Sequence, residues 1–205
     1  MQQRLEDLYR LQDLYMLQSF GQIYIDAKQP KTLPSQDSSQ DSIQNCNLCD
    51  RSKISKPTIG VLNPKSKIIF VTQTPLTDEK GLFLQTRSAK MLQDIIQKVL
   101  YLRIQECSIL SLLKCGNIFE YNNDVEVCKK YLFDQLKARP DALILCFLDL
   151  PALKIFGFKE DYLFGRFIKW NNQQIIFTHS LKTLSKNPSL KKETMTHLLM
   201  VKELL

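Results

Sequence analysis

The run Cys46-Asn47-Leu48-Cys49 spaces two thiols so that a loop can turn both toward one metal. Cys115 follows an apolar strand candidate, and Cys128 stands in the first turns of a helix that begins near Asp124. A short loop between them brings both toward one point. Four thiolates are the donor set of an iron-sulfur cluster or of a structural zinc, and the count does not separate the two. Cys107 and Cys146 sit inside apolar strand candidates and read as small core residues. A second place for chemistry is the polar turn Gln73-Thr74-Pro75, where the apolar run Lys67 to Thr72 ends. In α/β proteins, reactive groups gather at such strand ends. The chain has two histidines. His179 follows the strand candidate Gln174 to Thr178, while His197 lies within the last helix and receives no role.

These residues need a frame. Strand candidates run over Lys67 to Thr72, Cys107 to Leu113, Ala142 to Phe147 and Gln174 to Thr178, with helices between them. Ser88 to Leu100 places Ala89, Leu92, Ile96 and Val99 on one face, and Asp124 to Lys137 does the same with Val125, Cys128, Leu132 and Leu136. Asp149 with Pro151 opens a short helix, and Asn187-Pro188 opens the last one. The alternation predicts an α/β fold, a three-layer α/β/α sandwich with a central, mainly parallel four-stranded sheet, plus an N-terminal helix. That helix, at residues 1–27, carries the stripe Leu5, Leu8, Leu11, Tyr15, Leu17 and Phe20. Residues 28–44, rich in Gln, Ser, Asp, Lys and Pro, predict a flexible linker. The domain proper is expected at 45–205.

Composition narrows the partners. At 205 residues and 44% hydrophobic, the chain can bury one sizeable core. Lysine and arginine total 28 against 21 acids, a formal charge of +7 that favours an anionic partner such as nucleic acid. The longest apolar run, Ala142 to Phe158, is broken by Asp149, Pro151 and Lys154, so no membrane span is expected. Met1 to Asp7 lacks the features of a secretory signal, which points to the cytoplasm and to reduced thiols.

Taken in order, the run Cys46-x-x-Cys49-x-Arg51, Gly60, Ser66 to Pro75, Gly81 and Arg87 resembles the opening of the family 4 uracil-DNA glycosylases. Leu112-Leu113-Lys114-Cys115 and Cys128-Lys129-Lys130-Tyr131-Leu132 look like that family's third and fourth cysteine segments. Thr178-His179-Ser180 followed by Asn187-Pro188-Ser189-Leu190-Lys191 is similar to its His-Pro-Ser loop and final helix. The likeness runs from about residue 45 to 205.

This resemblance implies a 4Fe-4S cluster on Cys46, Cys49, Cys115 and Cys128, with structural zinc as the alternative. It implies DNA as partner, uracil-containing or single-stranded, and a role in base excision repair by hydrolysis of the bond from base to sugar. The family's water-positioning glutamate becomes Gln73, which can hydrogen-bond water but cannot take its proton. Thr74 stands where the more distant family 1 enzymes place an aspartate. The aromatic that stacks on uracil aligns with Leu84, beside Phe83, and the asparagine that reads the base edge falls at Ser111. His179 occupies the position that steadies the leaving base. Arg87, Ser180, Leu181, Lys182 and Lys186 are the residues expected at DNA, the two lysines on phosphates and Leu181 or Leu184 as a wedge. The alternative is a non-catalytic nucleic-acid-binding or protein-interaction module that keeps the fold, with the N-terminal helix as a protein contact.

Overall fold

The computed structural model describes residues 42–116, 124–158 and 163–205. The expected N-terminal helix and all but the end of the expected linker lie outside the described residues. At that end Ser42–Gln44 is helical and Ile43 is buried. A short helix α1, Asp50–Ile54, leads to strand β1, Ile68–Thr72. Helix α2, Arg87–Asp94, begins where the Thr86 side chain accepts a hydrogen bond from the Ala89 N–H, and it continues as a π-helical stretch, Ile95–Val99. Strand β2, Cys107–Ser111, follows, then α3 at Asp124–Lys137 and β3 at Leu143–Phe147. Helix α4, Leu150–Leu153, opens with proline in its first turn, where a missing N–H costs nothing. Strands β4, Phe167–Trp170, and β5, Gln173–Thr178, precede α5, Leu181–Lys186, and α6, Leu190–Lys202.

The sheet order is β2-β1-β3-β5-β4. Strands β2, β1, β3 and β5 are parallel, and β4 adds an antiparallel edge to β5. Every residue of β1, β2 and β3 is buried, as expected of parallel strands covered on both faces. Alternate residues feed two cores. Ile68, Phe70, Ile109, Leu145 and Ile176 meet Leu92, Ile96, Leu184, Leu198 and Val201 on one side. Ile69, Val71, Leu110, Ile144 and Phe177 meet Val125, Leu132, Leu136 and Phe156 on the other. Each such side chain, fully buried, contributes about 1.5–3 kcal/mol. The result is the three-layer α/β/α sandwich, and Cys107 and Cys146 are fully buried within it.

The sheet has a fifth strand beyond the four expected. Asn171 and Asn172, with φ of 46° and 67°, form the two-residue turn joining β4 to β5. Two successive positive φ values define a turn whose twist matches a hairpin. At the opposite edge, Val61 exchanges both backbone hydrogen bonds with Ile109, at 2.8 and 2.7 Å, so the segment 57–61 lies along β2. Among the described residues, no helix is long and apolar enough to cross a membrane.

Candidate active site and cysteine cluster

Parallel pairing aligns Thr72, Ser111, Phe147 and Thr178 in one row across the carboxyl ends of the strands. Gln73 and His179 each follow that row by one residue. Strand β3 lies between their strands, so two strand spacings, about 10 Å, separate their backbones. The turn after β1 is held from both sides. Thr72 Oγ1 donates to the Thr74 carbonyl at 2.9 Å, and the carbonyls of Thr72 and Gln73 accept from the N–H groups of Leu112 and Leu113. Within this held turn Gln73 Oε1 is buried and has no hydrogen-bond partner among the described residues. A buried acceptor in that state is one donor short.

Beside the turn, Pro75, Thr77, Leu84, Lys56, Thr58 and Gly116 line part of a groove of about 360 Å³. Leu84 faces this groove, whereas Phe83 turns the other way and packs against the core. Asp78, also on the groove wall, uses Oδ1 to accept from the N–H groups of Lys80 and Leu82, which closes its own loop. Ser111 is buried at the end of β2.

His179 is half-buried, and its ring lies 4.7 Å from that of Phe164. Its Nε2 stands 3.0 Å from Glu193 Oε2, in the first turn of α6. The other carboxylate oxygen, Oε1, lies 3.9 Å from Nε2 of His197, whose Nδ1 is 3.0 Å from Thr178 Oγ1. Burial pushes the His197 ring below its ordinary range, His179 adds to that, and Glu193 partly offsets it. Neither Glu193 nor His197 stood out in the sequence. The i,i+4 spacing of the pair on one helix was the available signal.

Three of the residues expected at DNA are buried. Leu181 and Leu184 are 4% and 2% exposed and belong to the core beneath α5, so neither stands free as a wedge. Ser180 is buried too, its Oγ accepting from the Thr183 N–H at 3.1 Å as the cap of α5. The stretch after His179 is therefore a helix start and not an open loop. Arg87, Lys182 and Lys186 remain exposed.

The four metal-candidate cysteines come from three segments that the backbone stitches together. Pro57 pairs with Cys115, Thr58 N–H donates to the Lys114 carbonyl at 2.6 Å, and Gly116 N–H donates to Ser55 Oγ at 3.0 Å. These contacts hold the chain that follows Cys46 and Cys49 against Cys115. Cys115 and Cys128 are each 2% exposed, while Cys46 and Cys49 are half-buried. Burial pushes the Cys115 thiol up to about 12, with Cys49, Cys128 and Cys46 raising it further and Arg51 opposing them. Cys128 is raised for the same first reason and also senses Cys49 and Cys46. The four sulfurs thus lie within electrostatic reach of one another. As placed, no three His, Cys, Asp or Glu side chains among the described residues form a group able to hold a metal ion. Cysteine thiolates are the donor type that a thiolate-held group takes. Beneath them Lys114 is fully buried, donating from Nζ to the Ser111 carbonyl at 2.8 Å and to Gln135 Oε1. Burial lowers this lysine to about 7.

Among curated proteins, none matches the chain. The family model for the uracil DNA glycosylase superfamily does match, over residues 59–200. That span contains Gln73, Ser111, Cys115, Cys128 and His179, and it begins after Cys46 and Cys49. With the matched span covering most of the chain and an α/β sandwich carrying its polar groups at the carboxyl ends of the strands, the protein belongs to the uracil DNA glycosylase superfamily.

Proposed function

We propose that this protein binds DNA and hydrolyses the bond between an extruded base and its sugar, as a family 4-like member acting in base excision repair. The observation that supports this best is the buried, unpartnered Oε1 of Gln73 in a rigid turn at the strand ends. A water donating to that oxygen is held for attack on the sugar carbon. The electron pair of the broken bond leaves with the base, and His179, across β3, lies on the side where that base is steadied. Leu84 supplies an apolar wall in place of a stacked ring. Arg87, Lys182 and Lys186 supply exposed positive charge for phosphates. Because Gln73 cannot accept a proton from the water, the reaction is slow.

Cys46, Cys49, Cys115 and Cys128 would hold a 4Fe-4S cluster, whose contribution when bound is to tie three chain segments into one body. Anaerobic purification tests this. Brown protein containing iron and acid-labile sulfide supports the cluster, and colourless protein with one zinc per chain replaces it.

Incubation with a uracil-containing oligonucleotide, followed by alkaline cleavage of abasic sites, tests the activity. Strand breaks in excess of a His179→Ala control support the reading. The absence of any excess sinks it. The second reading, a DNA-binding module without chemistry, is favoured by Asp78, the acid on the groove wall, whose Oδ1 is engaged in closing its own loop. Binding that weakens steeply with salt and ignores uracil would support that reading instead.

A further inference from the structure

His179 and His197 approach the same carboxylate from two elements. Glu193 Oε2 is 3.0 Å from Nε2 of His179, at a separation proper to a hydrogen bond, while Oε1 is 3.9 Å from His197, too long for one. An ionised carboxylate only accepts, so Nε2 of His179 is the nitrogen that carries the proton. The His179 ring is also bounded on one side by Phe164, at 4.7 Å between ring centres. His197 is fixed independently through Thr178 Oγ1 at 3.0 Å. The carboxylate therefore has one free-standing imidazole to orient, and it is the one at the strand ends.

We propose that Glu193 is the positioning residue for His179. By accepting Nε2–H from α6, it fixes the ring's tautomer and leaves Nδ1 as the nitrogen available to a substrate. In the neutral ring Nδ1 is a lone-pair acceptor and cannot donate to a departing base; only the protonated ring, with Nε2–H still on Glu193, offers Nδ1–H to it. A carboxylate behind an imidazole is how acyl-transfer enzymes set the nitrogen that reacts; there it holds Nδ1–H and frees Nε2, and here, at the end of β5, the two nitrogens are exchanged. The assignment of a catalytic use to that nitrogen rests on the glycosylase reading above. The assignment of the tautomer does not.

Long-range ¹H–¹⁵N spectra of the full chain decide the matter, because only two histidines must be distinguished and His197→Gln identifies one of them. Wild type is expected to show His179 as a single Nε2–H tautomer. Glu193→Ala should turn that pattern into the averaged signal of a free ring, and Glu193→Gln, whose amide oxygen still accepts, should keep it. An unchanged His179 signal in Glu193→Ala overturns the proposal, as does an averaged signal in wild type. The side chain of Glu193 is about half exposed, so its removal leaves the fold intact. In the uracil assay, Glu193→Ala is expected to slow single-turnover excision on the order of tenfold, with Glu193→Gln recovering most of it. Unchanged excision in Glu193→Ala overturns the catalytic use. Should wild type excise nothing, the glycosylase reading fails while the spectra still decide the role of Glu193.

Discussion

Gly165 and His197 are packed so closely that a Cβ added to the glycine would stand 2.3 Å from the imidazole. Gly165 also holds φ at +73° and donates its N–H to the Phe177 carbonyl, which anchors the approach to β4 against β5. Gly165→Ala therefore meets both left-handed strain and overpacking, and should destabilise the fold by about 2–4 kcal/mol. Chemical denaturation measures this. The double variant with His197→Ala should recover the packing share and retain the backbone share. No loss in the single variant would show that the ring moves aside freely.

His197 is also expected to make stability depend on pH. Burial lowers its proton affinity in the folded chain, so below about pH 6.5 the unfolded chain binds the proton first. Stability should be level above that pH and decline as pH falls toward the lower folded value. His197→Gln should flatten this particular window in thermal unfolding curves recorded across it. Equal slopes in both proteins would show that His197 remains free to protonate in the folded state.

Gln73 offers a gain-of-function experiment. Its backbone is fixed by Leu113 and its side-chain oxygen is buried, so Gln73→Glu places a proton acceptor where the proposed reaction puts its water. Single-turnover excision of uracil should rise on the order of 10²-fold. A rate at or below wild type would move the water elsewhere.

Lys114 and Gln135 form a buried polar pair that also reaches the Ile59 carbonyl, at 2.8 Å from Gln135 Nε2. Gln135→Leu strips Lys114 of one acceptor and Ile59 of its donor, and should cost about 1–3 kcal/mol. Adding Lys114→Met, which removes the stranded amine, should return part of that loss. Urea titrations of Gln135→Leu, Lys114→Met and the double variant test the coupling, and strictly additive effects would show that the pair is not a unit.

The parts of the fold that the sequence announced are those in which burial leaves a local trace. Strands β1 and β3 read as apolar runs because helices cover both faces, β2 is apolar but for Ser108 and Ser111, and α3 displays its period over Asp124–Lys137. Strand β4 leaves no such trace. It has four residues, lies at an edge, and turns on Asn171-Asn172, a pair that signals a hairpin only once both positive φ values are known. Helix α5 is six residues long, too short to show a period, so Leu181 and Leu184 looked like exposed loop residues when they are core. The site divides in the same way. Gln73 and His179 were visible because each follows a strand, whereas Glu193 reaches His179 from 14 residues away on another element. Contacts of that kind arise only when the chain closes on itself.

The treatment of the two sheet edges bears on how this protein meets other chains. Along β2 the backbone groups of Ile109 are already taken by Val61. At the far side the sheet stops on the short β4, which carries the exposed lysine Lys169. Short, charged or covered edges resist strand addition. Runaway stacking of copies through an open ladder is therefore disfavoured, despite the strongly apolar strands inside. Among the described residues the sheet extends no long, uncharged ladder of backbone groups, which turns recognition by a protein partner toward side chains on the helical faces.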